Sequence, residues 1–159
     1  MLNPIPSEVD VAVIGAGSAG LPAFRAAREH TDRVILIERG PHGTTCARVG
    51  CMPSKLLIAA AEAAHGMEIA PGFGIHPGSI SIDGEALMER VRRERDRFVG
   101  FVLDGVDRID PEQKISGQAR FVEDSRLEIG NSQVLAGRVV IASGTSPAIP
   151  DFLEQVRDR

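Results

Sequence analysis

The run Thr45-Cys46-Ala47-Arg48-Val49-Gly50-Cys51-Met52-Pro53-Ser54-Lys55 holds the only two cysteines of the chain, five positions apart, with a lysine four residues beyond the second. Several chemistries suit two thiols at this spacing. As a dithiol they would exchange electrons with a disulfide or a redox cofactor. As a staple they would close a very short loop, worth about 2 kcal/mol on the chain-entropy estimate. A zinc site would need two further ligands, and His30, His42, His65 and His76 show no ligand spacing. Two unrelated buried thiols are the remaining reading. In a reducing compartment a cysteine pair points to redox chemistry or metal before a structural bridge.

Helix geometry limits how the pair can act. Five residues of regular helix advance about 7.5 Å, beyond the roughly 7 Å that a disulfide allows between Cα atoms. If the pair bridges, the chain between the cysteines must leave the helix, and Gly50 is the place for it. A thiol at the start of a helix would have its pKa lowered by the positive end of the dipole.

A second chemical signal lies upstream. Gly15-Ala16-Gly17-Ser18-Ala19-Gly20 follows the apolar run Asp10 to Ile14 and precedes an alanine-rich helical segment, Ser18 to His30. Strand, glycine turn and helix in that order make a dinucleotide cradle. Gly15 serves the tight turn, Gly17 the close approach of a pyrophosphate, and Gly20 the packing of helix on strand. Glu38 ends the next apolar run, Val34 to Ile37, where a carboxylate would bind ribose hydroxyls and repel a 2′-phosphate. The cradle alone leaves FAD and NAD both open.

The remaining elements must position these two signals. Gly50 to about His65 reads as a helix, residues 66–82 as a surface connection, and Asp83 as the cap of a long helix with Leu87, Val91, Phe98 and Val102 on one face. Arginines and acids alternate along that helix, which reads as a solvated face laced with ion pairs. Short β segments follow, around Ile115, Ala119 to Val122, Leu127 to Ile129 and Val134 to Ala136, with Gly130-Asn131 as a hairpin turn. Val139 to Ala142 is a further buried strand. The fold class is α/β, a Rossmann-like domain with a parallel sheet and a small antiparallel meander. The 159 residues suffice for one domain with a core. A net charge of −4 without a basic patch argues against nucleic acid. No secretion signal or bilayer-length apolar run is present, so the expected address is cytoplasmic, away from membranes.

Three separated blocks, Ile14 to Gly20, Thr45 to Lys55 and Val139 to Pro150, resemble the FAD-dependent pyridine nucleotide–disulfide oxidoreductases, a family that includes dihydrolipoyl dehydrogenase, mercuric reductase and glutathione reductase. The resemblance implies roles. Gly15, Gly17, Gly20 and Glu38 would hold the adenosine half of FAD, with Arg39 beside them. Gly43, Thr44 and Thr45 would line the pyrophosphate and ribityl region, with Ser143 and Gly144 completing the site. Ala119 would meet the adenine through its backbone. Cys46 would exchange with the substrate disulfide, Cys51 would lie against the flavin, and Lys55 would approach the flavin N5 region. No metal is implied.

Ser54 before Lys55 is similar to the dihydrolipoyl dehydrogenase and mercuric reductase branches, and the first expectation is the reaction of dihydrolipoamide with NAD. Mercuric or other disulfide reduction is the alternative, and a non-catalytic redox-sensing nucleotide module is a third reading. The partners implied are a small or protein-bound disulfide or dithiol, NAD or NADP, and a second copy in a homodimer. Thr44, Arg48 and Ser143 depart from the glycine, asparagine and threonine usual in the family, and Thr44 would crowd the pyrophosphate. Family members are far longer, so residues 1–150 are expected to be the N-terminal part of the FAD-binding domain. Residues 151–159 would begin a linker toward a nicotinamide domain, and the chain alone is expected not to turn over with NADH.

Overall fold

A six-stranded sheet in the order β3-β2-β1-β6-β5-β4 organises the computed structural model, which describes residues 5–146 and 148–156. Strands β1 (Glu8–Ile14), β2 (Val34–Glu38), β3 (Lys114–Ser116) and β6 (Ser132–Ile141) pair in parallel. Strands β4 (Ala119–Glu123) and β5 (Arg126–Ile129) pair antiparallel and join β6 in the expected meander. Gly130, with φ 59°, makes the β5–β6 hairpin turn.

β6 is longer than its sequence suggests. The runs Val134 to Ala136 and Val139 to Ala142 were expected as separate strands, yet one ten-residue strand contains both up to Ile141. Gly137 lies between them without ending the strand. A Cβ there would stand 3.0 Å from the Asp10 carbonyl oxygen, so the glycine lets two backbones approach closely.

β2 shows why these strands are apolar throughout. Val34 and Leu36 pack on one face with Val13, Leu21, Phe24 and Val106. Ile35 and Ile37 pack on the other with Ala12, Leu127, Ile129, Val134 and Ala136. The first face is covered by α1 (Gly20–Arg28) and α4 (Gly84–Asp107), the second by the meander. A strand covered on both faces has no position for a polar residue.

The single helix expected from Gly50 is two, α2 (Thr45–Val49) and α3 (Cys51–Ile69), followed by a 3-10 turn over Ala70–Phe73. The connection expected over 66–82 therefore begins late. One glycine, Gly66, costs a helix only about 1 kcal/mol, too little to stop an alanine-rich segment. Asp83 caps α4 as expected, its Oδ1 accepting the Ala86 N–H at 3.0 Å. On the expected apolar face Val91 is buried, and Leu87, Phe98 and Val102 are half-buried; Val106 adds a second buried position. The opposite side carries ion pairs such as Arg97–Glu94 at 3.2 Å. No helix among the described residues is long and apolar enough to cross a membrane. Residues 151–156 of the expected linker form a 3-10 helix, and 157–159 lie outside the described residues.

The tightest helix-to-turn contact is at Gly20, where an added Cβ would lie 1.7 Å from the Gly15 carbonyl oxygen. Backbone must move to admit any side chain. Gly20→Ala is expected to destabilise the chain by about 3 kcal/mol, read as a lower urea midpoint at unchanged slope. A wild-type midpoint would show that α1 can shift freely.

Candidate functional site

The C-terminal ends of β1, β2 and β6 lie side by side and open into a cleft of about 980 Å³. Its walls are the turn Gly15-Ala16-Gly17-Ser18-Ala19, Glu38 at the end of β2 with residues 39–41 after it, Gly117 to Ala119, residues 142–146 after β6, and Thr44, Thr45 and Arg48. Parallel sheets place ligands at this end, where strand order diverges.

The three glycines of the turn have separate reasons. Gly15 has φ 103°, and a Cβ there would lie 2.2 Å from the Ala142 carbonyl oxygen. Gly20 packs α1 onto the turn. Gly17 is different, because an added Cβ would meet nothing within 4 Å. Nothing in the chain itself requires a glycine there, and the space it leaves on the cleft wall fits a diphosphate approaching the backbone.

Glu38 ties the end of β2 to this turn. Its Oε2 accepts the Ala16 N–H at 2.7 Å and its Oε1 the Gly40 N–H at 2.8 Å. Burial opposes ionisation of the carboxyl, but the backbone donors at Ala16, Gly40 and Arg39, together with the charge of His42, outweigh it and hold the pKa below the usual range. The carboxylate is thus charged and fixed at the cleft wall.

Thr44 stands in a backbone region that glycine normally occupies, with φ 60° and ψ 147°. Its hydroxyl turns toward α2 and accepts the Ala47 N–H at 3.1 Å, capping that helix. Thr44 lines the cleft, and the chain carries the strain of a threonine in a glycine-type conformation.

Between the cysteines the helix breaks where bridging requires it. α2 ends at Val49, α3 begins at Cys51, and a Cβ on Gly50 would lie 3.1 Å from the Thr45 carbonyl oxygen. Both cysteines are free thiols, Cys46 half-buried and Cys51 exposed. A hydrogen bond with the Cys51 side chain, then burial, pushes the Cys46 thiol above its ordinary value. The pKa lowering expected of a thiol at a helix start is therefore not met at Cys46, where the Cys51 side chain and burial favour the protonated form.

Of the expected cofactor residues, Gly15, Gly17, Glu38, Arg39, Thr44, Thr45, Ala119, Ser143 and Gly144 share the cleft wall. Gly20 lies buried beneath the turn, and Gly43 is buried against Val99 and Arg48. Cys46, Cys51 and Lys55 do not line the cleft; Thr45, which does, connects it to the thiols. The sequence reading assigned no site role to Ala16, Pro41, Arg48, Gly117 or Gln118. Arg48 had a signal, lying one helical turn after Thr44, and Ala16 had one in its place within the glycine motif.

Two outcomes check this geometry. Thr44→Gly removes strain of roughly 1–3 kcal/mol and loses a few tenths from the cap and about 0.5–1 kcal/mol in chain entropy. The variant is expected to be more stable by about 1 kcal/mol in urea unfolding; a loss of stability would show that the cap outweighs the strain. Cys51→Ala is expected to move the pH midpoint of Cys46 alkylation by iodoacetamide downward, because the partner that raises it is gone. An unmoved midpoint would assign the shift to burial alone.

A family model described as pyridine nucleotide-disulphide oxidoreductase matches residues 9–158. The mercuric reductase of Streptomyces lividans is 37% identical, over 92% of this chain and 33% of its own length. The glutathione reductase of Burkholderia cepacia is 33% identical, over 90% of this chain and 32% of its own. The chain thus spans about a third of the curated relatives it matches. In structure it is similar to the HOCl-induced flavoprotein disulfide reductase RclA of Escherichia coli, solved as a Cu(II) complex, with TM-score 0.65 and 22% identity over 92% of this chain and 31% of that one. With the glycine cradle, the acid that closes it and the paired thiols, these findings show that the chain belongs to the pyridine nucleotide–disulphide oxidoreductases, a flavoprotein family whose cofactor is FAD and whose full-length members use NAD or NADP.

Proposed function

We propose that this chain is the FAD-holding, dithiol-bearing part of a reductase that acts on mercuric ion or on a disulfide. The observation that carries the reading is the joining of two features at Thr45, which lines the cleft while the next residue begins the thiol pair. The first expectation, oxidation of dihydrolipoamide, gives way to mercuric ion reduction, because the similar curated proteins bear the names mercuric reductase and glutathione reductase. Soft thiolates are suited to a soft metal ion, which would here be a substrate rather than a resident cofactor.

Bound FAD would pass two electrons between a nicotinamide and the cysteine pair. The chain's own residues prepare the ends of that path. Gly17 leaves space for the diphosphate, and ionised Glu38 offers acceptors for ribose hydroxyls. The Cys51 side chain, with burial, raises the Cys46 pKa, so Cys46 holds its proton more firmly than an ordinary thiol. Exposure of Cys51 and half-burial of Cys46 leave the pair open to a partner at the break between α2 and α3.

The chain contains no tryptophan or tyrosine, so bound flavin would dominate its near-ultraviolet and visible absorption. After incubation with FAD and gel filtration, the chain is expected to retain visible colour. Reduction with dithiothreitol should then add a long-wavelength band that Cys51→Ser abolishes. Mercuric ion should consume both thiols at one ion per chain, and Cys46→Ser should remove that stoichiometry. Retained flavin with no thiol-dependent spectral change would favour a nucleotide-binding module without electron exchange; a chain that retains no flavin would sink the proposal.

A further inference from the structure

Arg48 lines the cleft beside Thr44 and Thr45. Its stem lies against Gly43, where an added Cβ would come within 3.1 Å of the Arg48 Cδ. Its Nη1 donates to the Pro41 carbonyl at 3.3 Å, so the guanidinium is held by the same loop that forms the cleft wall. Among the described residues Arg48 forms no ion pair with a carboxylate. The acid that shares its cleft, Glu38, is already engaged by the N–H groups of Ala16 and Gly40. A guanidinium has five donors, and one bond to a carbonyl leaves most of them for a ligand.

Resting on the FAD reading, we propose that Arg48 binds the diphosphate of the dinucleotide and makes this cleft selective for the anionic bridge over the nucleoside alone. The turn at Gly15 to Gly20 offers backbone donors with partial charges only, whereas Arg48 brings a full positive charge in a planar fork that suits phosphate oxygens. Its anchoring to Pro41 lowers the freedom it would lose on binding. The cap at Thr44 supports the arrangement, because it fixes the start of the helix that carries Arg48.

The test is calorimetric titration of the 159-residue chain with ADP and with adenosine, for the unchanged chain, Arg48→Gln and Arg48→Lys. Arg48→Gln is expected to weaken ADP about tenfold, the effect of one charge-assisted contact. It should also flatten the salt dependence of ADP binding and leave adenosine unchanged. Arg48→Lys keeps the charge but loses the planar fork, serves if the glutamine variant does not fold, and should bind ADP more weakly than the unchanged chain and more tightly than Arg48→Gln. Equal weakening of ADP and adenosine would overturn the proposal by showing that Arg48 only shapes the loop, and unchanged ADP affinity in Arg48→Gln would overturn it outright. A chain that binds adenosine no less tightly than ADP would overturn the role of Arg48 and leave the cradle intact. Binding of neither would overturn the FAD reading with it.

Discussion

The cleft depends on a close backbone contact. At Gly15 the turn after β1 comes so near the end of β6 that a Cβ would stand 2.2 Å from the Ala142 carbonyl oxygen, and Gly20 brings α1 against the same turn. The turn with its helix and the end of β6, distant in sequence, can meet there only because two positions lack side chains. Glu38 adds the third strand by accepting the Ala16 N–H. A cleft formed this way is lined by main chain, which suits a diphosphate that must be approached closely.

The thiol site is assembled on a different principle. There the helix is interrupted at Gly50, and the break puts Cys46 and Cys51 on separate short and long helices while keeping them in reach of each other. The Cys51 side chain, together with burial, raises the Cys46 pKa. The two sites meet at residues 44 to 48. A single strained turn, with Thr44 at φ 60°, therefore carries both the cleft wall and the start of the thiol-bearing helix.

Much of this was legible in the sequence because it depends on residue type at fixed spacing. The glycine turn, Glu38, the Asp83 cap and the need for a helix break near Gly50 all follow from local rules. What was not legible depends on partners far along the chain. Gly137 looks like a strand terminator until Asp10 is seen opposite it, and β6 then becomes one strand. The protonation of Cys46 required the position of Cys51, which spacing alone does not supply. Gly117 and Gln118 reach the cleft through the path of the chain between β3 and β4.

β6 has a kinetic meaning beyond its place in the architecture. Glu8 pairs with Leu135, so the central strand β1 waits for nearly the whole described chain before both its edges are satisfied. Until then β1 and β2 expose an apolar parallel edge, and closing so long a loop slows folding. The adjacent hairpin of β5 and β6 is local and can form first. Assembly then resembles a ready-made hairpin docking onto a waiting pair. The last residues of that docking strand, Val140 and Ile141, are the ones that bring Ala142 against Gly15. Closure of this sheet and creation of the nucleotide-sized space thus depend on the same contact.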